Sequence, residues 1–394
     1  MRNSFLPFHV PEISEEDIAA VAGALRSGWV TAGPQVKDFE AQFARYTGAE
    51  HAIAVNSGTA ALHLALEAAG IKASDEVLVP AMTFAATAEV VVQLGARPVL
   101  VDCTPDTLNI DPAAIERAVT PRTRAIIPVH FAGHPCDMDA IMQIAAARRL
   151  TVVEDAAHAL PARWRGRMVG TIGDLTCFSF YATKTITTGE GGMITTNDDK
   201  YAERIALMRL HGIGRDAWKR YAKTGSWFYE VQEAGYKMNL PDMLAALGVA
   251  QLKKANQFWQ QRREIAAYYQ EKLAGFEELQ LPPGESGGDD HAWHLFILRL
   301  RPELLSITRN ELIEELKADG IGTSVHFIPL HRHPYYVRTY GCTPSDFPQA
   351  DCSYLRCVSL PIFPGLTEEQ REHIVQSVTK LVAKNRKRTA VAAE

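Results

Sequence analysis

Hydrophobic and polar residues follow two alternating patterns along the first half of the chain. Short runs rich in β-branched residues predict strands, and they lie at residues 51–55, 76–80, 98–102, 125–130, 151–155, 175–180 and 192–196. Between these runs the apolar residues predict helices, at 60–69, 83–94, 139–149 and from Pro112. Strands that alternate with helices predict an α/β fold with a mostly parallel sheet, covered on both faces.

The second half of the chain has a different pattern. One long helical stretch covers 241–273, and a glycine-rich loop follows at 284–290. Beyond the loop the pattern predicts shorter elements, namely strands at 294–300, 323–327 and 358–362 and helices at 308–319 and from Thr367. We therefore expect a large α/β domain with an N-terminal arm at 1–250. The linking helix and a small C-terminal α+β domain follow at 251–394.

Composition excludes several classes of protein. The chain has 394 residues and a net charge of −5, which does not favour a nucleic-acid partner. No run approaches the roughly 20 apolar residues of a membrane span, and the first residues lack the apolar run of a signal peptide. The six cysteines lie far apart with no CxxC pair. We therefore expect a cytoplasmic enzyme or binding protein rather than a disulfide-bonded one.

The segment "NSGTAALHLAL" places Ser57, Gly58 and Thr59 between a strand and a helix. Exposed backbone N–H groups at a helix start, together with two hydroxyls, can bind a phosphate. The same residues would also suit an ordinary helix cap, and the segment alone does not decide between the two readings.

The segment "TVVEDAAH" ends an apolar strand with Asp155, and His158 follows three residues later. Ligands of open α/β sheets bind at the carboxyl ends of strands. A carboxylate there could hold a protonated ring nitrogen, although Asp155 could equally cap the next helix.

The segment "FSFYATKTITTGEGG" places Ser179 and Lys184 between an apolar strand and a glycine-rich turn. A lysine becomes a nucleophile toward aldehydes when desolvation lowers the pKa of its amine. Most loop lysines are simply solvated, so Lys184 acquires a role only from its neighbours.

Three histidines, His326, His331 and His333, lie close together near the C-terminal side of the chain. Their spacing matches no standard zinc pattern, and no cysteine or acidic ligand stands beside them. We therefore expect no metal, and we interpret the segment as a set of substrate contacts.

A phosphate site, a carboxylate and a lysine at strand ends are together what pyridoxal phosphate (PLP) requires. They bind its phosphate, its pyridine nitrogen and its aldehyde, respectively. Phe84 follows a further strand and offers a face on which the ring can stack. Each segment is weak evidence alone, but their joint occurrence in an α/β framework predicts PLP as the cofactor.

The order of these segments, followed by "GYKMNLPDMLAALGVAQL" and "GIGTSVHFIPLH", resembles the DegT/DnrJ/EryC1/StrS family of PLP-dependent sugar aminotransferases. The resemblance extends from about Phe5 to Leu366. It implies the fold-type I PLP-dependent transferase architecture, with a large domain and a small C-terminal domain.

The resemblance also implies roles for individual residues. Lys184 would bind the cofactor covalently, and Asp155 would pair with its ring nitrogen. The remaining cofactor contacts would come from residues of five segments: Ser57, Gly58, Thr59, Phe84, His158, Ser179 and Asn239. The substrate contacts would be His326, His331 and Lys237.

The implied reaction moves an amino group from an amino acid, glutamate by family analogy, to a nucleotide-linked keto-sugar. A homodimer would share its active sites through the loop at 235–242, and the product would serve polysaccharide biosynthesis. Two alternatives are a PLP-dependent sugar dehydratase and a non-catalytic PLP-binding regulator. Relatives that act as dehydratases carry histidine in place of the lysine, so Lys184 favours the aminotransferase.

Overall fold

The structure is a computed structural model that describes residues 5–214, 228–285 and 287–387. Its strands, in chain order, are β1 His51–Val55, β2 Glu76–Pro80, β3 Arg97–Val101, β4 Thr123–Ile126, β5 Thr151–Asp155, β6 Arg163–Trp164, β7 Arg167–Met168, β8 Leu175–Ser179, β9 Gly192–Thr196, β10 Leu279–Gln280, β11 Phe296–Leu300 and β12 Cys357–Leu360. Its α-helices are α1 Glu15–Arg26, α2 Pro34–Thr47, α3 Gly58–Ala68, α4 Ala86–Gln93, α5 Pro112–Ala118, α6 Met138–Arg148, α7 Asp199–Met208, α8 Asp242–Leu252, α9 Ala255–Leu273, α10 Arg309–Ala318, α11 Pro334–Tyr340, α12 Pro348–Arg356 and α13 Glu368–Lys384.

Seven strands form the main sheet in the order β1-β9-β8-β5-β4-β2-β3. The neighbours from β8 to β3 are parallel, whereas β9 pairs antiparallel with both β8 and β1. The fold is therefore mixed α/β with a mainly parallel sheet, as the sequence predicts. The one reversed strand matters for the site. Because β8 and β9 are antiparallel neighbours, the chain between them stays at the carboxyl end of β8.

Alternating side chains of the strands enter two separate cores, since successive residues of a strand point to opposite faces. In β2, Val77 and Val79 pack with α3, α4 and α7 on one face of the sheet. Leu78 packs with α5 and α6 on the other face, beside Ile126 and Val152. Helices on both faces bury the sheet and bring the carboxyl ends of β1, β2, β5 and β8 to one edge.

A second core lies in the C-terminal part of the chain. It surrounds the antiparallel sheet β10-β11-β12 and includes residues of α9, α10 and α13. Leu6 of the N-terminal arm packs in this core, and its backbone exchanges hydrogen bonds with Gly320 and Gly322. Helix α9 joins the two parts, since Phe258 packs in a core of the large sheet and Ile265 in the C-terminal core.

Two predictions about the second half need correction. The sequence predicts a strand at 323–327, but only an isolated bridge from Ser324 to Ser359 is present there. Val325 and Phe327 are apolar because they pack against a neighbouring core, not because they belong to a sheet. The helical stretch at 241–273 is two helices, α8 and α9, separated by Lys253 and Lys254.

The described part of the chain contains no helix that is both long enough and apolar enough to span a membrane.

Candidate active site

A cavity of about 620 Å³ opens at the edge where the parallel strands end. The predicted cofactor residues Ser57, Gly58, Thr59, Phe84, Asp155, His158, Ser179 and Lys184 all line it. They come from segments that follow four different strands, so the direction of the sheet brings them together.

The residues Ser57, Gly58, Thr59 and Ser179 form what we call the phosphate cradle. Ser57 is the N-cap of α3, and its Oγ accepts a hydrogen bond of 3.0 Å from the Ala60 backbone N–H. A Cβ atom on Gly58 would lie 2.9 Å from the Cβ of Ser179, closer than side chains approach. Glycine therefore lets the end of β8 meet the start of α3. The cradle offers hydroxyls and free N–H groups of a helix start, which fit a phosphate.

Gly192, the last glycine of the turn after Lys184, has a packing reason of its own. A Cβ there would lie 2.4 Å from the carbonyl oxygen of Ser57. The glycine thus allows β9 to begin directly against the phosphate cradle, which explains part of the glycine-rich pattern in the sequence.

Asp155 ends β5 and is buried in the wall of the cavity. Its Oδ2 accepts a hydrogen bond of 2.9 Å from the Thr87 hydroxyl, and its Oδ1 accepts one of 3.1 Å from the Ala157 N–H. Burial raises the pKa of the Asp155 carboxyl, whereas these two hydrogen bonds and the Lys184 charge oppose the rise. A buried carboxyl of raised pKa is suited to a cationic partner such as a protonated ring nitrogen.

Thr87 is a residue that the sequence interpretation missed. It lies in α4, and its hydroxyl also pairs with that of Thr83 at 2.8 Å. Thr87 on α4, paired with Thr83 just before this helix, orients Asp155 from a segment that is distant in the chain. The signal was present in "MTFAAT", where the two threonines stand four residues apart on one helical face.

Lys184 lies in the connection between β8 and β9, and its backbone N–H donates to the Tyr181 carbonyl at 2.9 Å. Desolvation lowers the pKa of its ammonium group to about 8; the Asp155 charge opposes this effect and the Arg262 charge adds to it. A lysine with this pKa is neutral in a useful fraction of molecules near neutral pH. Such a side chain can attack an aldehyde and can carry a proton.

Phe84 stands at the mouth of the cavity with 61% of its surface exposed. Its ring contacts Phe327 at a centroid distance of 5.8 Å. A large exposed aromatic ring at the mouth of a cavity is available to stack on a planar ligand. Phosphate cradle, carboxyl, lysine and aromatic face together fit PLP.

The structure places His326 in the cavity but not His331. The Nδ1 of His326 pairs with Ser359 Oγ at 2.8 Å, and its ring remains part of the lining. His331 is fully buried, pairs with Asp351 at 3.1 Å and stacks on Phe347. Its position gives it a role in packing the loop, away from the cavity.

Lys237 and Asn239 do not line the cavity of their own chain. The Nζ of Lys237 donates to Asn239 Oδ1 at 2.5 Å, and the Asn239 backbone bridges to Val55. We also expect the loop at 211–236 to help select the sugar, and its residues 215–227 lie outside the described part of the chain.

Two lining residues, His9 and His294, were not predicted. His9 lies in the N-terminal arm and His294 just before β11. Neither belongs to a segment with a recognisable pattern, so only their position in the fold identifies them.

The profile of the DegT/DnrJ/EryC1/StrS aminotransferase family matches residues 11–379. The chain belongs to this family. Its architecture is therefore that of the fold-type I aminotransferases, and its cofactor is PLP.

Among curated relatives, the spore coat polysaccharide biosynthesis protein SpsC of Bacillus subtilis is 48% identical, covering 97% of this chain and 98% of its own. Among solved structures, a candidate sugar aminotransferase of Streptococcus pneumoniae, Spr1654, is 33% identical with a TM-score of 0.91 in its PMP form. It covers 96% of this chain and 99% of its own, and a PLP form is also known. DesV of S. venezuelae, solved with a ketimine intermediate, is 36% identical with a TM-score of 0.85, covering 96% and 99%. The family to which the chain belongs thus includes sugar aminotransferases.

Proposed function

We propose that this aminotransferase moves an amino group from an amino acid, with glutamate as the donor, to a keto-sugar carried on a nucleotide. The observation that carries the proposal is that Lys184 and Asp155 face one cavity together with a phosphate cradle. The names of its relatives support a sugar as acceptor and polysaccharide biosynthesis as the context. All six cysteines are unpaired, which agrees with action in the reducing cytoplasm.

Asp155 and Lys184 have different roles in the proposed reaction. When bound, PLP supplies an aldehyde carbon and an aromatic ring that accepts electrons. Asp155 holds a proton on the ring nitrogen, since its raised pKa and buried carboxyl favour a cationic partner. With PLP bound, Lys184 would take the proton from the Cα of the donor as a neutral amine and give it up again as an ammonium group. The pKa of about 8 lets its amine act in both directions near neutral pH.

The expected result for the purified protein is a visible absorbance band from the bound cofactor, which L-glutamate should bleach. The amino form produced in this way should regain the band when it is mixed with one member of a panel of nucleotide-linked keto-sugars. Absorbance spectroscopy and mass spectrometry of the sugar product measure both steps. A band that no amino acid changes would contradict the proposal and would favour the regulator. Loss of water from the sugar without amine transfer would instead indicate the dehydratase.

We also propose that two subunits share each active site in a homodimer. Lys237 and Asn239 are polar residues that do not line the cavity of their own chain, so a role near a cofactor requires the cavity of a partner. Phe84 and Tyr181 expose apolar rings at the cavity mouth, with 61% and 47% of their surfaces accessible. A two-fold interface would cover these rings and place both loops at equivalent sites.

Subunit mixing tests the shared site. We expect a Lys184→Ala chain and an Asn239→Ala chain to be inactive or weak alone. In a mixed dimer one site carries both defects and the other carries neither, so activity should return toward half that of the wild-type dimer. The measurement is turnover after subunit exchange, with each variant mixed with itself as the control. Activity that stays at the level of the separate variants would show that Asn239 acts within its own chain.

A further inference from the structure

Four histidines converge on the cavity although they come from distant parts of the chain. His9 belongs to the N-terminal arm, His158 follows β5, His294 precedes β11 and His326 follows α10. All four line the cavity together with Lys184. We call these four residues the histidine wall.

The histidine wall contains polar atoms that the described residues leave unpaired. The rings of His158 and His294 lie 4.3 Å apart between centroids, and the Nδ1 atom of each is buried without a hydrogen-bond partner in the described chain. The Nε2 atom of His9 is also buried without a hydrogen-bond partner among the described residues. Buried polar atoms in native proteins are almost always hydrogen-bonded. The cavity is therefore built to receive a polar ligand on this side.

The charges around the wall favour an anion. Burial lowers the pKa of all four imidazoles, and the Lys184 charge lowers each of them further. They are therefore neutral near pH 7, and the Arg262 charge lies close to His9 and His294. The carboxylates among the described lining residues are Asp155, whose oxygens already accept two hydrogen bonds, and Glu190, which is exposed. Neutral N–H donors beside a buried guanidinium form an environment that stabilises a negative group.

Arg262 holds part of the wall in place. This side chain of α9 is fully buried, and its Nη1 donates to the carbonyl groups of Ile362 at 2.7 Å and His294 at 3.2 Å. Its Nε and Nη2 atoms have no hydrogen-bond partner among the described residues. Arg262 thus fixes the backbone of His294 and brings a positive charge close to the wall.

We propose that the histidine wall binds the α-carboxylate of the amino-acid donor, with His294 and His9 as the residues that add this site to the predicted cofactor pocket. The inference rests on the proposed aminotransferase function. The α-carboxylate is bonded to the carbon from which Lys184 takes a proton, so it must lie within a few ångströms of Lys184. The diphosphate of a nucleotide-linked sugar lies farther away, because the sugar ring separates it from the reacting carbon. The position of the wall beside Lys184 therefore selects the carboxylate.

The test is calorimetric titration of the PLP-loaded enzyme with glutarate, a dicarboxylate that has no amine and cannot react. We expect His294→Leu and His9→Leu each to weaken glutarate binding about tenfold to a hundredfold, the usual effect of losing a hydrogen bond to a charged group. His373→Leu is the control, since its ring lies on α13 and bonds the Asp319 carbonyl. Retained cofactor absorbance shows that each variant is folded. The two wall variants test the site independently of each other.

A parallel titration with uridine diphosphate separates the carboxylate from a phosphate ligand. The affinity of the enzyme for uridine diphosphate should be the same in the His294→Leu and His9→Leu variants as in the wild type. Weaker binding of the nucleotide with unchanged binding of glutarate would overturn the proposal, as would a wild-type enzyme that does not bind glutarate. The result is distinct from the test of function. If the enzyme binds glutarate through the wall but glutamate does not bleach its cofactor band, the carboxylate site stands and the proposed aminotransferase function is wrong.

Discussion

Replacement of Lys184 by alanine is expected to abolish amine transfer, with turnover reduced at least about a thousandfold. The side chain lines the cavity, and desolvation lowers the pKa of its ammonium group to about 8. Alanine removes both the nucleophile for the aldehyde and the group that moves the proton. The protein should still fold and bind PLP without a covalent bond, because the phosphate cradle and Asp155 are unchanged.

Borohydride reduction of the PLP-loaded wild type, followed by peptide mapping, measures the attachment directly. The label should appear on the peptide that contains Lys184 and should be absent from the Lys184→Ala variant. Lys237→Ala is a matched control, since Lys237 is exposed outside the cavity of its own chain and should leave the label in place. A label on Lys237 in the wild type would contradict the assignment of Lys184.

The Asp155→Asn variant is expected to retain bound PLP but to transfer amine about a hundredfold to a thousandfold more slowly. A neutral amide cannot stabilise a proton on the ring nitrogen, and the site is buried, so water does not replace the lost charge. The Ala157 N–H should donate to the asparagine Oδ1, and the asparagine Nδ2 can donate to the Thr87 hydroxyl, so the side chain should stay near the position of the carboxylate.

Single-turnover bleaching of the cofactor band by glutamate separates the chemical step from binding. The rate of bleaching should fall in Asp155→Asn, whereas the amount of bound cofactor should stay close to that of the wild type. Asp199→Asn controls for loss of a carboxylate elsewhere, because the Asp199 side chain lies on the surface and is 86% exposed. A bleaching rate in Asp155→Asn equal to that of the wild type would contradict the role of Asp155 at the ring nitrogen.

The sequence was most informative where one local pattern was sufficient. Apolar runs of four to six residues predicted the strands β1, β2, β5 and β9 at their observed bounds, because a buried strand needs only a short run of side chains that fit the sheet. The segments around Gly58, Asp155 and Lys184 also identified the family and the cofactor, which the comparisons confirm. The residue roles and the domain boundary near residue 250 stay predictions.

Other features depended on contacts between distant segments. The cavity receives three residues that the sequence did not identify, namely His9, Thr87 and His294. They lie there only because the N-terminal arm, α4 and the segment before β11 pack against one edge of the sheet. His331 carries the same side chain as His326, yet its ring is turned to Asp351 and into the protein.

By itself, the sequence determined the alternation of strands and helices, the family and the cofactor, since each is written in short contiguous segments. Only the tertiary structure decided which polar side chains share the cavity. It also decided that Lys184 lies at the carboxyl end of β8, because β9 runs antiparallel to β8. The physical reason is that strand and helix patterns arise from neighbours along the chain, whereas burial, desolvation and hydrogen-bond partners arise from residues far apart in sequence. The low pKa of Lys184 is such a property, because burial and the charge of Arg262 on α9 lower it, whereas the charge of Asp155 on β5 opposes the effect.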